Sequence, residues 1–249
     1  MLNVVIIPVH GHLDVVKKCI ESVIVNTKNL KLIIINDGSD NETSDYINSF
    51  KSLHYVTIFN NKEAKGFTTS CNIGIDYAIK NFDFTCLCLL NSDAEIVTTD
   101  WFDKVKSYYN DKIGIVGVVS NNALCQTIDN VDKYLKDIDN KPILYAYLIH
   151  GFCYFIGKKL LLKIGHLDND TFPHYGSEDD YSIKAIRAGF NNIIIGSVFA
   201  KHHNCTSYTE SVRSEMLKKT VPDLTNRWGK SYVDSLCVHA NKIYKYLNK

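Results

Sequence analysis

The sequence predicts an α/β fold with a mostly parallel central sheet flanked by helices, and three observations carry that prediction. Four short apolar runs, Val4 to Val9, Leu32 to Ile35, Val56 to Phe59 and Cys86 to Leu90, alternate with segments of helical periodicity within roughly the first 95 residues, the pattern of repeated βαβ units. The runs are almost continuously apolar, as strands covered on both faces must be. Each of the best-defined runs stops at a turn rich in Asn, Asp or Gly, and in an open parallel sheet ligands bind just beyond the carboxyl ends of the strands.

Taken in order, Val4 to Val9 is a β-branched strand closing on Pro8-Val9-His10-Gly11, and Val15, Val16, Cys19, Ile20 and Val23 recur at helical spacing after it. Leu32 to Ile35 forms the second strand and ends at Asn36-Asp37-Gly38-Ser39-Asp40, where Asp40 or Asn41 can cap a helix running through Tyr46 to Phe50. Val56 to Phe59 is the third strand, and Ile73 to Ile79 lies in the next helix. The apolar run Phe84 to Leu90 contains the fourth strand and ends on Asn91-Ser92-Asp93-Ala94, a carboxylate among small polar residues. Ile113 to Val119, Ala146 to Phe155 and Ile193 to Phe199 are expected strands of a second half with less regular connections. No internal repeat or low-complexity linker marks a firm boundary.

Composition limits the function classes. With 249 residues, 45% hydrophobic and 22% charged, the chain can bury a substantial core, and its net charge of +1 gives no global signal for nucleic acid. From Arg213 onward, however, eight basic residues face only Glu215, Asp223 and Asp234, so an anionic surface is a candidate contact for this end. The eight cysteines form no CxxC pair and several sit in apolar runs, which reads as reduced, buried thiols. No apolar stretch approaches the ~20 residues of a membrane span, and no signal segment precedes Val4. A cytoplasmic protein, peripheral at most to a membrane surface, is the expectation. Asn41-Glu42-Thr43 and Asn204-Cys205-Thr206 match glycosylation acceptors, as chance provides in an Asn-rich chain.

The strand-end turns exclude two common nucleotide sites. A nicotinamide enzyme of this topology would carry GxGxxG after its first strand, where this chain has Pro8-Val9-His10-Gly11-His12-Leu13, and no GxxxxGK[ST] phosphate loop occurs anywhere. What remains is the acidic turn at Asp37, a Lys65-Gly66 turn, and Asp93. Together, Val4 to His10, Ile34-Ile35-Asn36-Asp37-Gly38-Ser39, Asn60 to Phe67 leading to Asn72-Ile73-Gly74-Ile75, and Asn91-Ser92-Asp93 resemble the nucleotide-binding half of glycosyltransferase family 2. The likeness continues through Ile164-Gly165-His166-Leu167-Asp168, Ser177-Glu178-Asp179-Asp180-Tyr181 and Arg187-Ala188-Gly189-Phe190 to His202-His203-Asn204-Cys205-Thr206-Ser207, covering roughly residues 3 to 207 and including the pattern of rhamnosyltransferase-like members.

The resemblance implies a GT-A fold over residues 1–210, with a nucleotide-binding half at about 1–95, an acceptor and catalytic half at about 96–210, and a basic helical extension at 211–249. It implies an inverting, metal-dependent transferase that moves a sugar from a nucleotide-diphosphate sugar to a hydroxyl of a glycan, protein or lipid-linked acceptor. Asp37 would accept an N–H bond from the base, with Asn36 standing where Asp is common. Pro8, Val9 and His10 would line the same pocket, and Lys65 and Gly66 would meet phosphate or base. Asn91-Ser92-Asp93 takes the place of the DxD motif. Asp93 is its one carboxylate for Mn²⁺ or Mg²⁺, and Asn91 and Ser92 would face ribose, sugar or metal-bound water.

A later histidine completes the metal shell in many relatives. His202 and His203 are both candidates, the spacing to Ser207 slightly favouring His202, and an imidazole suits Mn²⁺ better than Mg²⁺. The general base falls in the cluster Glu178, Asp179 and Asp180, with Asp179 favoured and the alignment ambiguous by one residue. The aromatic segment Phe172-Pro173-His174-Tyr175-Gly176 before it could stack on a sugar, and Trp101 is either core or acceptor wall. Two other readings stand beside this one: a nucleotide-sugar-binding protein without catalysis, suggested by Asn36 and Asn91, and the same enzyme acting on a lipid-linked or nucleic-acid acceptor through the basic tail.

Overall fold

A computed structural model describes residues 1–204 and 210–249. The Cys205-Thr206-Ser207 end of the last motif, and with it the spacing that favours His202, lies outside the described residues, as does the Arg213 side chain.

In the first half, β1 (Asn3–Val9), α1 (Leu13–Asn26), β2 (Leu30–Asp37), α2 (Asn41–Asn48), β3 (Val56–Asn61), α3 (Phe67–Asn81) and β4 (Cys86–Leu90) follow in the anticipated alternation. Strands β1, β2, β3 and β4 pair in parallel. Asp40 caps α2, its carboxylate accepting from the Thr43 N–H at 2.9 Å and the Thr43 hydroxyl at 3.0 Å. Side chains alternate across the sheet. Val5, Ile7 and Val9 pack on α1, whereas Val4 and Ile6 face α3, so both faces are dry and the apolar runs are continuous.

The second half is mixed. After β5 (Ala94–Ile96) and α4 (Trp101–Ser107) come β6 (Ile113–Val119), α5 (Val131–Leu135), β7 (Ile143–Ala146), β8 (Cys153–Gly157), α6 (Lys158–Ile164), α7 (Ser177–Arg187) and β9 (Asn191–His202). Among the described residues the sheet has nine strands in the order β3-β2-β1-β4-β8-β6-β9-β5, with β7 added on β9. β8 runs antiparallel between β4 and β6, and β5 and β7 run antiparallel to β9.

The single strand expected over Ala146 to Phe155 is two strands separated by a turn, because His150-Gly151 interrupts the apolar run. Trp101 is core: it is fully buried, packs edge-on against Phe102 and Phe155, and donates its indole N–H to Thr27 Oγ1 at 2.9 Å. Two helices close the chain, α8 (Glu210–Trp228) and α9 (Lys230–Leu247). No helix among the described residues is long and apolar enough to cross a membrane.

Candidate active site

Strand order reverses where β1 lies between β2 and β4, and a crevice opens beyond the carboxyl ends of these strands. It holds about 210 Å³ and is lined by Pro8, Val9 and His10 after β1, Asp37 after β2, Phe67 opening α3, and Asn91, Ser92 and Asp93 after β4. The turn before β8 adds His150, Gly151 and Phe152, the aromatic loop before α7 adds His174 and Tyr175, α7 adds Glu178, and the end of β9 adds His202 and Asn204. Strand ends and turns from both halves of the described domain therefore converge on one cleft.

The end of the cleft beyond β1 and β2 is built around Asp37. Its carboxylate accepts from the Lys65 N–H (2.8 Å), the Gly66 N–H (2.9 Å) and the Asn61 amide (2.8 Å), and its carbonyl accepts from His10 Nδ1 at 2.7 Å. Asp37 thus fixes the 61–66 loop and the His10 ring while staying on the cleft wall. Lys65 contributes its backbone to this arrangement, and its side chain is exposed outside the cleft lining. Asn36 serves the turn: its amide donates to Ser44 Oγ and Asn60 Oδ1, both at 3.0 Å, and its oxygen accepts from the Ser39 N–H. Gly66 (φ +90°) is confined further, since a Cβ there would lie 2.9 Å from the His174 ring. The 61–66 loop and the aromatic loop touch at that point.

The two histidines separate. Antiparallel pairing of β5 with β9 sets Ala94 opposite His202 and brings Asp93 Oδ1 to 3.3 Å from His202 Nε2. His202 Nδ1 donates to the Asn122 carbonyl at 2.7 Å, its ring stacks on Phe152, and Asn121 brackets its backbone with bonds of 2.8 and 3.1 Å. With Nδ1 carrying the proton, Nε2 is the nitrogen turned toward the carboxylate, the tautomer that metal-bound histidines adopt through a second-shell carbonyl. His203 instead points to Glu95, Nε2 to Oε2 at 2.8 Å. Among the described residues no group of three or more His, Cys, Asp or Glu side chains forms a metal cage. Asp93 and His202 are the residues of this cleft that could hold a divalent cation, offering it one carboxylate oxygen and one imidazole nitrogen.

The three acidic residues also have three different surroundings. Glu178 lines the cleft, its Oε2 accepts from the Ser177 hydroxyl at 3.1 Å, and burial pushes its carboxyl up. Gly151 makes room for it, since a Cβ at that position would sit 2.8 Å from Glu178 Oε1. Asp179 is not part of the cleft lining, and burial first, then the charges of Glu178 and Asp180, push it up to about 7. Asp180 is fully buried and committed to cations. Its Oδ1 accepts from Arg227 Nη1 (2.9 Å) and Trp228 Nε1 (3.0 Å), and its Oδ2 pairs with Lys184 at 2.6 Å.

Arg227 also reaches Asp168 Oδ2 (2.7 Å) and Thr171 Oγ1 (2.9 Å) and lies over the Phe172 ring. Burial alone would raise the Asp168 carboxyl, but the Thr171 N–H and the Arg227 guanidinium hold it at about 2. The end of α8 therefore clamps α7 to the aromatic loop. Sequence reasoning missed Arg227, Trp228, His150, Gly151 and Phe152. Only the His-Gly interruption was a readable signal.

The fold and the cleft define a GT-A glycosyltransferase domain, and comparison with known proteins agrees. A mannosyltransferase, PcManGT of Pyrobaculum calidifontis in complex with GDP-Man and Mn²⁺, superposes with a TM-score of 0.69 at 14% identity, covering 97% of this chain and 69% of that one. GalNAc-T7 with UDP, GalNAc and Mn²⁺ gives 0.66 at 17%, covering 95% and 49%. The Glycosyl transferase family 2 model matches residues 4–153, more than half the chain, and the chain belongs to that family.

Among curated relatives, glycosyltransferase GlyA of Streptococcus pneumoniae is 27% identical over 79 residues, 31% of this chain and 11% of that protein. The uncharacterized protein y4gI of Sinorhizobium fredii is 23% identical over 255 residues, 90% of this chain and 27% of its own. The chain thus spans from about a tenth to about a quarter of the length of these relatives.

Proposed function

We propose that the chain is a metal-dependent, inverting glycosyltransferase that moves a sugar from a nucleotide-diphosphate sugar to an acceptor hydroxyl. One observation carries this reading: the Asp93–His202 pair and the Glu178 carboxylate line a single cleft at the switch point of the sheet. A divalent cation held by Asp93 and His202 would supply positive charge to the diphosphate as it departs. The imidazole in the donor set favours Mn²⁺ over Mg²⁺.

The protein groups divide the remaining work. Pro8, Val9, His10 and Asp37 receive the nucleoside, and Asn91 and Ser92 face its ribose or the sugar. Glu178 acts as general base. It takes the proton of the acceptor hydroxyl as that oxygen bonds to the anomeric carbon, while the bond from that carbon to the diphosphate oxygen breaks on the opposite face and the nucleoside diphosphate leaves with the electron pair. Such assistance contributes about 10² to 10⁴ in rate. The raised Glu178 carboxyl matches the task, because a more basic carboxylate transfers a proton more readily near neutral pH. Asp180, enclosed by Arg227, Trp228 and Lys184, orients α7.

Six of the described cysteines are buried free thiols, Cys88 and Cys153 sharing an S–H···S hydrogen bond at 3.9 Å; these suit a reducing compartment, and a cytoplasmic location belongs to the proposal. Asn36 is occupied within its turn, so its missing charge gives no reason to infer lost catalysis.

The test is nucleotide release from a panel of UDP, GDP and TDP sugars with Mn²⁺ and with EDTA. Release from at least one donor, abolished by EDTA, is expected. A protein that neither turns over nor is thermally stabilised by any donor is not the proposed enzyme.

A further inference from the structure

A second cavity, of about 430 Å³, lies between the loop carrying Asp170 to Tyr175 and one face of α8. Its volume falls within the ~300 to 1,000 Å³ of small-ligand sites. His174 and Tyr175 belong to the walls of both cavities, and Glu178 follows them directly on α7. A molecule in the second cavity can therefore extend past these two rings toward the proposed base. The α8 wall is Glu215, Met216, Lys219 and Asp223, which share one helical face. Thr220 seats that face by donating to the Tyr175 carbonyl, and Arg227 and Trp228 fix the helix end.

The chemistry of the walls selects a ligand class. Three carboxylates, Asp170, Glu215 and Asp223, stand against one ammonium, Lys219. Carboxylates are acceptors and bind neighbouring hydroxyls well, whereas a phosphate, sulfate or uronate here would meet like charge at close range. Tyr175 and Met216 add an aromatic ring and a flexible apolar chain, surfaces that suit the C–H face of a pyranose. The basic count of the C-terminal segment does not reverse this balance. Arg227 is used internally on Asp168 and Asp180, and Lys230 pairs with Asp234.

We propose that this second cavity is the acceptor subsite and that it takes an uncharged carbohydrate, with α8 forming its outer wall. The proposal rests on the glycosyl-transfer reading above. Anionic vesicles and nucleic acid, the partners suggested by composition, would meet like charge at this cavity from Asp170, Glu215 and Asp223.

The experiment is binding of the fluorescently labelled full chain, with UDP or GDP and Mn²⁺ present, to an array of neutral, uronate-containing and sulfated oligosaccharides. Phosphatidylglycerol vesicles and single-stranded RNA are run in parallel. Binding to neutral members is expected. Met216→Trp, which fills the cavity, should weaken it at least ten-fold, Glu215→Gln several-fold, and Lys218→Met, outside the cavity lining, not at all. Thermal melts verify each fold, and Glu215→Gln keeps the test decisive if the tryptophan is not tolerated. Binding confined to anionic glycans, vesicles or RNA overturns the proposal, as does neutral-glycan binding that survives both cavity variants, or no neutral binding by a protein that binds donor. Failure of every nucleotide sugar to bind in a separate titration instead removes the glycosyl-transfer reading, and this one with it.

Discussion

Asp93 Oδ1 stands 3.3 Å from His202 Nε2, and the imidazole is locked in place by its Nδ1 bond to the Asn122 carbonyl. Both residues are 7% exposed. Nε2 and Oδ1 are thus aimed at each other from two different strand ends, where a divalent cation could meet both. The adjacent His203 takes no part, being paired with Glu95.

Metal binding is the first expectation. Asp93→Asn and His202→Ala should each remove the Mn²⁺-dependent part of donor stabilisation in a thermal shift assay and lower turnover at least ~10²-fold, whereas His203→Ala should keep the metal response. Equal loss in both histidine variants would place the metal elsewhere.

Turnover should discriminate among the three acids. Glu178→Gln is expected to reduce turnover by at least ~10²-fold with donor affinity retained, the low end of general-base contributions. Asp179→Asn should cost less than ten-fold. Since Glu178 must be deprotonated to act and its carboxyl is raised, wild-type activity should fall as pH drops through that raised value. Kinetics of both variants across pH 5 to 9 check this, and a larger loss in Asp179→Asn returns the role to that residue.

Gly151→Ala should act through Glu178. The added methyl would meet Oε1 at 2.8 Å and push the carboxylate off its position, so turnover should fall at least five-fold with donor affinity near wild type. Unchanged turnover would show that Glu178 has room to move without cost.

Stability should depend on Asp179 with a definite sign. Its folded pKa, about 7, lies above its unfolded value, so the folded state binds more protons between about pH 4 and 7, and stability falls as pH rises through that window. Asp179→Asn removes the penalty. As the carboxylate keeps partial contact with solvent, a gain of roughly 1 to 2 kcal/mol at pH 8 is expected, vanishing below about pH 4. Urea melts at both pH values measure it, and a variant less stable than wild type at pH 8 contradicts the sign.

Arg227→Met should destabilise by about 3 kcal/mol, because it leaves Asp180 buried with Lys184 as its remaining cation and Asp168 without its guanidinium. If Arg227 positions α7, Arg227→Lys should recover part of the stability yet retain a lowered turnover, since an ammonium cannot span both carboxylates. Full recovery of both would mean that charge alone suffices there.

Much of the first half was legible because its rules are local. Continuous apolar runs, helical spacing and Asn/Asp/Gly turns located β1 to β4, and the turns after β1, β2 and β4 line the cleft. The second half resisted because its pairings are not local. β8 inserts antiparallel between β4 and β6, and nothing near Ala146 to Phe155 announces a turn except His150-Gly151. Lys65 shows how little a motif says about side-chain direction: its backbone holds Asp37, and its side chain leaves the cleft.

The sequence by itself determined the α/β class, the strand-end turns and the family to which they belong, because each depends on residues within one element and the turn that follows it. Only the tertiary structure decided which histidine meets Asp93 and which acid faces the cleft. His202 is selected over His203 by the alternation of side chains along β9 and its register with β5. Glu178 is separated from its neighbours by the helical turn of α7 and by Arg227, brought from the far end of α8 to neutralise Asp180. Those choices are made by pairing and burial between distant segments, which a linear pattern does not encode.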